Sequence, residues 1–346
     1  IEDQDYEIDI EDNRGVHEFK FEKIDESLHF EKTWGPKHPQ AGQPIVLRDY
    51  QVETINKFLE NPQCLQEIAT GAGKTIITAT LSQLVEQYGR SIVIVPNKSL
   101  VTQTEGDYKT LGLDVGVYYG ERKEFDKQHT ICTWQSLNNM LKKTKKFEAE
   151  VNIGDFLDGV VCVMVDEVHQ AKADVLKTLL TGPFASVPIR WGLTGTIPKE
   201  DYEMASLQAS LGEVINKLSA SELQDKGVLA NCHVNVVQTQ ETNAFSTYAG
   251  EQTFLVTNET RLQFIADLVD TMRAEGNTLI LVDRIKTGQA LEEIIPSSVF
   301  IQGRTKLEDR EEEYDEIATE QHKVIIATYG AAVSYTHLTL PTSTHG

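Results

Sequence analysis

Short apolar runs alternate with longer segments of helical periodicity from about residue 43 onward. Strands that are covered on both faces read as continuous apolar runs, and intervening helices make such strands parallel. The pattern therefore predicts an α/β fold with parallel sheets. The predicted elements of the first part are strands at Cys64–Ile68, Ser91–Val95, Val115–Tyr119, Thr130–Thr133, Val160–Val165 and Ile189–Leu193, with helices at Thr75–Tyr88 and Ser99–Leu111.

A second alternating run begins near Cys232, so the fold is predicted to have two parallel-sheet lobes in tandem. The segment Leu218–Leu229 is the predicted hinge between them. The predicted elements of this run are strands at Val234–Gln238, Leu279–Val282, Val299–Gln302 and Val324–Thr328, with helices at Glu259–Ala274, Thr287–Ile295 and Leu307–Ala318.

Composition narrows the class of protein. A chain of 346 residues with 40% hydrophobic residues has room for roughly two domains, which excludes a small disulfide-stapled scaffold. Its 53 acidic and 32 basic side chains give a net charge of −21, which excludes coating of nucleic acid by bulk charge. The 4 cysteines lack zinc-site spacing. With an acidic start and no run of about 20 apolar residues, we expect a cytoplasmic protein that contacts no membrane.

A glycine-rich turn, IATGAGKT at 68–75, joins a predicted strand to a predicted helix. Gly71 and Gly73 let backbone N–H groups turn towards a β-phosphate, and the helix N-terminus adds its positive end. Lys74 reaches the β- and γ-phosphates, and the Thr75 hydroxyl is a magnesium ligand. Ile68 stands where the strict phosphate-loop pattern has glycine, so an ordinary turn with an incidental lysine stays open as the alternative.

An apolar strand ends abruptly in two carboxylates, in VVCVMVDEVH at 160–169. A buried parallel strand delivers Asp166 to the carboxyl edge of the sheet, where such sheets bind ligands and where an aspartate can hold magnesium. Glu167 is then placed to orient or deprotonate an attacking water. Alone, the acid pair could equally begin the next helix. Beside the phosphate loop, the nucleotide site is the favoured interpretation.

These motifs resemble, in type and order, motifs I to III of the superfamily 2 helicases and translocases. ATGAGKT at 69–75, DEVH at 166–169 and LTGT at 193–196 match them. LRDYQ at 47–51 resembles the adenine-reading motif, VPNKSLVTQ at 95–103 motif Ia, and TWQSL at 133–137 motif Ib. With LILVD at 279–283 as motif IV and IATYG at 326–330 opening motif V, the chain looks most like the phage UvsW helicases over about 43–333.

The resemblance implies two RecA-like lobes that use ATP and Mg²⁺. Residues 1–42 would be an acidic N-terminal extension or the remnant of a small domain, 43–227 the ATP-binding lobe, and 228–333 an incomplete second lobe. Lys74, Asp166, Glu167 and His169 would be catalytic, with Thr75 and Asp166 on the metal. The implied nucleotide-binding residues are Arg48 and Gln51, on the adenine edge, with Thr70, Gly71, Ala72, Gly73, Lys74 and Thr75, and the coupling residues are Thr194, Gly195 and Thr196.

Motifs Ia and Ib are expected to contact one nucleic-acid strand, mostly through phosphate and sugar. Trp134 is also open to interpretation as a core aromatic. The run KKTKK at 142–146 could line the strand track or contact a duplex, and a solvated charged loop is the alternative. The implied contact residues are Asn97, Lys98, Gln103, Thr133, Trp134, Gln135 and Thr328.

The implied function is ATP-dependent DNA unwinding, branch migration or R-loop removal in replication, recombination and repair. Partners would be branched or duplex DNA and also RNA, in the host cytoplasm if a phage encodes the protein, while the oligomeric state stays open. Two alternatives remain: the motor subunit of a restriction-type DNA translocase, and a nucleotide-gated binding module that does not unwind.

The resemblance stops before the end of the chain. A motif VI of the form Gln-x-x-Gly-Arg-x-x-Arg, which carries an arginine finger, is expected after motif V and does not occur. Residues 334–346 instead resemble translated sequencing adapter and are expected to be a non-native tail. Since an arginine finger is worth about 10³ or more in turnover, we expect a truncated enzyme that binds nucleotide but hydrolyses it weakly or not at all.

Overall fold

The computed structural model describes residues 19–34, 41–148, 151–170, 173–231, 233–240, 243–302 and 322–332. The chain forms two compact units, Ile1–Asn231 and Cys232–Gly346, and each is described by itself. The predicted helix Leu307–Ala318 and the tail 334–346 lie outside the described residues.

The first unit is a mixed α/β structure. Its described strands are β1 (His29–Thr33), β2 (Pro44–Val46), β3 (Gln63–Ile68), β4 (Arg90–Val95), β5 (Val115–Tyr119), β6 (Arg122–Lys123), β7 (His129–Thr133), β8 (Val160–Val165), β9 (Ile189–Thr194) and β10 (Val214–Leu218). Its helices are α1 (Asp49–Glu60), α2 (Lys74–Val85), α3 (Lys98–Thr110), α4 (Trp134–Lys145), α5 (Ile153–Leu157), α6 (Ala173–Leu180), α7 (Asp201–Leu211) and α8 (Ala220–Asp225).

Eight of these strands form one sheet in the order β10-β3-β9-β8-β4-β7-β5-β6. All neighbours pair in parallel except β5 and β6, which are antiparallel. Parallel strands end at the same edge of a sheet. The loops that follow β3, β8 and β9 therefore converge, because β9 lies between β3 and β8.

The core lies on both faces of this sheet. Alternate residues of β8 enter opposite clusters, with Cys162 and Met164 in one and Val163 and Val165 in the other. All four side chains are buried. A strand covered on both faces must be apolar throughout, which is why VVCVMV reads as an unbroken apolar run. The predicted parallel α/β architecture is confirmed.

Residues 19–34, assigned from the sequence to an extension, pack on the first unit. The rings of Phe19 and Phe21 meet Tyr88 edge-on at 5.1 and 5.2 Å. Asn56 Nδ2 donates to Ile24 O, and Ile24 N donates to Asn56 Oδ1, each over 2.9 Å. We call residues 19–28 the N-terminal strap. Strand β1 then pairs antiparallel with β2.

The second unit carries a parallel sheet in the order β11-β13-β12 among its described residues. Leu262, Val269 and Leu291 pack against Val282 and Ile326 of this sheet. Its described elements are α9 (Tyr248–Thr257), α10 (Glu259–Met272), β11 (Thr278–Val282), α11 (Ile285–Ile294), β12 (Ser298–Ile301), β13 (Val324–Thr328) and α12 (Tyr329–Ala332).

Two sequence expectations differ from the structure. The predicted strand Val234–Gln238 is wrong, because this segment carries no strand and Val234 and Val236 are 76% and 87% exposed. These residues favour β structure, but in the described structure no neighbouring strand pairs with them. The segment Leu218–Leu229, predicted as a hinge, belongs to the first unit, where it forms the end of β10 and helix α8 and buries Leu223.

Candidate ATP site

The phosphate loop lies between β3 and α2, and its shape requires glycine at two positions. Gly71 and Gly73 have φ angles of 85° and 80°, in the left-handed region. A Cβ on Gly73 would lie 2.6 Å from Gln51 Nε2, and one on Gly71 would lie 2.7 Å from Leu229 Cδ2. Any side chain would therefore strain the backbone and collide with a neighbour.

The motif expected to read adenine forms hydrogen bonds to the phosphate loop. Gln51 Nε2 donates to Ala72 O over 3.0 Å, and Gln51 Oε1 accepts from Arg48 N over 2.9 Å. The Tyr50 hydroxyl also donates to Ala72 O, over 3.1 Å, and accepts from Arg48 Nη1 over the same distance. Both polar ends of Gln51 are thus engaged by protein. The hydrogen bond from Tyr50 to the phosphate loop was not predicted from the sequence. A tyrosine near the start of an amphipathic helix is typical of a core residue.

Lys74 and Glu167 form a buried ion pair across the site. Lys74 Nζ lies 2.8 Å from Glu167 Oε1, and the two side chains are 5% and 9% exposed. Lys74 Nζ also lies 3.5 Å from Ile68 O. A buried pair of this kind forms only where the surrounding polar groups complete its hydrogen bonding.

Asp166 and Glu167 follow β8 directly. Asp166 N donates to Ile94 O of β4 over 2.9 Å, which fixes the strand end. Asp166 Oδ1 accepts from Glu167 N over 2.9 Å. Glu167 itself has a φ of 49°, unusual for a non-glycine residue, and a short 3-10 turn, Val168–Gln170, follows. Burial raises the pKa of Asp166 to about 6, although the Lys74 charge opposes this. A carboxylate so desolvated favours a cation partner.

The loop after β9 closes the network. Gly195 N donates to Glu167 Oε2 over 3.4 Å, and His169 Nδ1 lies 3.4 Å from the same oxygen. His169 Nδ1 also lies 2.8 Å from Thr194 Oγ1. Because Thr194 Oγ1 donates its proton to Thr196 O over 2.8 Å, the imidazole Nδ1–H is the donor to Thr194.

Glycine at 195 also lets this loop approach the phosphate loop closely. A Cβ there would lie 3.1 Å from Thr70 Oγ1. Three motifs thus meet at one edge of the sheet, although Thr70 and Gly195 are 125 positions apart along the chain. They are Thr70 with Lys74, Asp166 with Glu167, and Thr194 with Gly195.

The residues present fit ATP with magnesium. Gly71 and Gly73 leave a concave backbone cradle, and Lys74 supplies the positive charge beside it. In the described part of the chain no group of three or more His, Cys, Asp and Glu side chains could hold a metal by itself. Magnesium suits such a site, because it is usually held by one or two protein groups together with substrate phosphates. Thr75 and Asp166 are the residues available for it.

Most of the residues expected to contact nucleic acid lie at the starts of two helices. Asn97 caps α3, with Oδ1 accepting from Leu100 N over 3.0 Å, and Thr133 caps α4 with Oγ1 accepting from Ser136 N over 3.3 Å. Gln135 Nε2 donates to Pro96 O over 3.1 Å, which joins the two motifs.

The remaining predicted contact residues differ in exposure. Lys98 and Gln103 are exposed, and Lys98 Nζ lies 5.4 Å from the centre of the Tyr119 ring. Trp134 packs against the core, and its indole Nε1 is buried without a hydrogen-bond partner in the described structure. The packing favours the core interpretation of this residue. Thr328 ends β13 in the second unit.

A cavity of about 320 Å³ opens beside Tyr50, between α1, β10 and α8. Lys226 lines it, and Lys226 Nζ lies 2.6 Å from Asp49 Oδ2 and 6.0 Å from the centre of the Tyr50 ring. The segment after β10 therefore borders the nucleotide site at two points, through Lys226 and through Leu229 on Gly71. Neither residue stands out in the sequence.

Comparison with known proteins finds a family match and distant relatives over part of the chain. The family described as "Type III restriction enzyme, res subunit" matches residues 44–199, which contain the phosphate loop, the acid pair and the loop after β9. The DNA 3'-5' translocase XPB2 of Sulfurisphaera tokodaii is 27% identical over 190 residues, which cover 54% of this chain and 39% of that protein. The chain is thus similar to a restriction-enzyme subunit and to a DNA translocase over about half of its length. It spans about two fifths of the length of this relative.

One solved helicase structure shares the fold, and another is reported beside it. Mycobacterium smegmatis helicase Lhr, solved with ssDNA and AMP-PNP, aligns with a TM-score of 0.53 and 18% identity, over 80% of this chain and 39% of that one. T4 UvsW aligns over 88% of this chain and 60% of its own, with 17% identity and a TM-score of 0.45. At 18% identity the likeness to Lhr concerns the fold alone. No helix in the described ranges is long and apolar enough to cross a membrane.

Proposed function

We propose that this chain is an ATP-dependent helicase or translocase of superfamily 2 acting on nucleic acid. The observation that carries the proposal is the buried Lys74–Glu167 pair, 2.8 Å apart, at the mouth of the phosphate loop. Glu167 Oε2 also accepts from Gly195 N, so one carboxylate touches both the phosphate-binding lysine and the loop after β9.

This pairing suggests how hydrolysis is held in check. In the structure the carboxylate of Glu167 is occupied by the Lys74 ammonium and by Gly195 N. Phosphate oxygens compete for the same ammonium when ATP enters. Glu167 is then free to orient a water and accept its proton. Magnesium, held by Thr75 and Asp166, would neutralise charge on the phosphates.

The loop after β9 is placed to sense this change. Glu167 and Thr194 are both hydrogen-bonded or close to His169, so a new partner for Glu167 alters the contacts of the loop. We assign Thr194, Gly195 and Thr196 to coupling of the nucleotide state to movement along a strand. Asn97, Lys98, Gln103, Thr133 and Gln135 are the proposed strand contacts in this unit.

The proposed substrate is branched or duplex DNA, with RNA in R-loops as a second substrate. A motor that must move along any sequence is expected to contact phosphate and sugar, and capping residues at two helix starts, Asn97 and Thr133, suit such contacts. Unwinding, branch migration and R-loop removal are the activities to test.

The deciding experiment is ATP hydrolysis with and without a branched DNA, beside direct measurement of nucleotide binding. Lys74→Ala and Glu167→Gln are the test variants, and Lys177→Gln, on the exposed face of α6, is the control. We expect nucleotide binding by the wild type and a weak turnover, which both test variants abolish and the control leaves unchanged. Turnover that survives Glu167→Gln would overturn the assigned role of this carboxylate, and absence of nucleotide binding would overturn the proposal.

The match to the restriction-enzyme family favours a second candidate, the motor subunit of a restriction-type translocase. Both candidates hydrolyse ATP on DNA. Displacement of a labelled strand from a fork distinguishes a helicase from this motor and from a nucleotide-gated binding module. Translocation without displacement, seen as removal of a triplex-forming oligonucleotide, would favour the restriction-type motor.

A further inference from the structure

Helix α4 ends in a cluster of lysines, and an exposed aromatic ring follows them. Lys142, Lys143, Lys145 and Lys146 are all exposed. Phe147 follows them and is 98% exposed. We call these five residues the lysine tip.

The backbone at Phe147 makes its exposure unusual. Phe147 N donates to Thr144 O over 3.1 Å, and Glu148 N donates to Lys143 O over 3.0 Å. This pair of bonds is the Schellman ending of a helix, in which the residue at the Phe147 position adopts a left-handed conformation and is usually glycine. Phe147 indeed has a φ of 58°. A bulky residue there destabilises the turn, and a ring in water gains nothing by packing.

The described structure gives no reason for the cluster of lysines either. The chain carries a net charge of −21, yet four lysines stand within five positions. Among the described residues no carboxylate forms an ion pair with any of the four. Favourable interaction with the negative end of the α4 dipole needs one or two cations, and it gives no reason for the aromatic ring.

We propose that the lysine tip binds unpaired nucleic acid, with its lysines on successive phosphates and Phe147 stacked on a base. Proteins that bind single strands combine clustered positive charge with exposed aromatic rings. The charges contact the phosphates, and every base offers a face for stacking. The proposal rests on the proposed function and deepens it by naming a contact outside the helicase motifs.

The position of the tip fits a strand that passes the start of the same helix. Helix α4 begins at Trp134, within the TWQSL motif, and ends at Lys145. At about 1.5 Å per residue the two ends lie about 16 Å apart. A strand leaving Thr133 and Gln135 would reach the tip within a few nucleotides. The rigid helix would fix the spacing between the two contacts.

The test is fluorescence anisotropy with one labelled 20-nucleotide strand, alone and as a duplex, over a series of salt concentrations. The variants are Lys142→Gln/Lys143→Gln, Lys145→Gln/Lys146→Gln, Phe147→Gly and Phe147→Trp. The control is Lys177→Gln/Lys199→Gln, which removes two exposed lysines of the same unit. Thermal unfolding of every variant reports the fold.

Each lysine pair should lower the slope of log affinity against log salt by about 1.4, since a phosphate contact on a single strand adds about 0.7. Phe147→Gly should weaken single-strand binding about tenfold while Tm stays the same or rises, because glycine relieves the left-handed strain. Phe147→Trp should bind at least as tightly as the wild type. A purely structural ring would give the reverse order, with a lower Tm and unchanged affinity.

Three outcomes overturn the lysine tip. They are test pairs that match the control pair, equal losses for duplex and single strand in Phe147→Gly, and full affinity in Phe147→Gly. Failure of the proposed function is seen separately, as absence of ATP binding by the wild type, and it leaves the ratio of variant to wild-type strand affinity interpretable. If the wild type binds no nucleic acid, both proposals fall.

Discussion

The ammonium of Lys74 and the carboxylate of Glu167 lie 2.8 Å apart and are almost wholly buried, at 5% and 9% exposure. Removing one partner of such a pair leaves a desolvated charge, whereas an isosteric neutral partner keeps a hydrogen bond. A variant that removes the Lys74 charge and a variant that neutralises Glu167 should therefore differ in their effect on stability.

Lys74→Ala should lower the free energy of unfolding by about 3–5 kcal/mol, because it leaves Glu167 buried and unpaired. Glu167→Gln should cost less stability, since the amide oxygen still accepts from Lys74, yet it should lower ATP turnover about 10²- to 10⁴-fold through loss of the base. Chemical denaturation and single-turnover hydrolysis measure the two effects. Equal destabilisation by both variants would argue against the buried pair.

Gln51→Ala should weaken nucleotide binding about tenfold, because it removes one of the two hydrogen bonds that hold Ala72 O, and one buried hydrogen bond is worth about 1 kcal/mol or more. The structure engages both ends of Gln51 within the protein, so the loss should be similar for ATP and GTP. Competition binding with both nucleotides is the measurement. A loss confined to ATP would instead support the adenine-reading role predicted for Gln51.

Thr194→Val should leave unstimulated hydrolysis within a few-fold of the wild type and reduce stimulation by DNA about tenfold. Valine keeps the shape of threonine but removes the hydroxyl that accepts from His169 and donates to Thr196 O. The ratio of stimulated to unstimulated turnover reports this coupling. If both rates fall together, the hydroxyl serves the chemistry rather than the coupling.

The buried imidazole of His129 leads to a prediction of how the free energy of unfolding depends on pH. Its Nε2 lies 2.7 Å from Glu86 Oε1 and its Nδ1 2.8 Å from Ser91 Oγ, with the Tyr108 ring packed at 6.1 Å and Asp114 as a further charge. Burial lowers the pKa of this imidazole, although Glu86 opposes the shift. The unfolded chain then binds the extra proton.

Stability is therefore full above about pH 6.5 and falls as the pH drops below it, by at most about 1.4 kcal/mol per pH unit for this group. His129→Asn cannot take up the proton. Its Tm should be lower than that of the wild type at about pH 7.5 but should fall less steeply towards about pH 5.5. Parallel curves for the two proteins would mean that His129 does not titrate on unfolding.

Asn56→Ala should loosen the N-terminal strap at little cost to the sheet, while the ring contacts with Tyr88 still hold it. The variant loses two reciprocal bonds to the Ile24 backbone, which together are worth about 1–3 kcal/mol. Amide hydrogen exchange should speed up in residues 19–28 and stay unchanged in β8. Faster exchange throughout the first unit would mean that the strap is part of its cooperative core.

Much of the fold could be predicted because the strands are covered on both faces. Val115–Tyr119, Val160–Val165 and Val324–Thr328 have the predicted bounds, since a continuous apolar run ends where burial ends. Val234–Gln238 has a strand-like sequence and forms no strand. A strand needs a neighbour, and a single segment cannot reveal whether one is present.

The order of the elements and the chemistry of the site were determined by the sequence, because a phosphate loop or an acid pair at a strand end is a local pattern of residue types. The partners of those residues were decided only by the tertiary structure. Lys74 and Glu167 are far apart along the chain, and Gln51 reaches Ala72 only because α1 packs beside the loop. The exposure of Phe147 is likewise a property of the folded surface, since the surrounding packing sets the burial of a side chain.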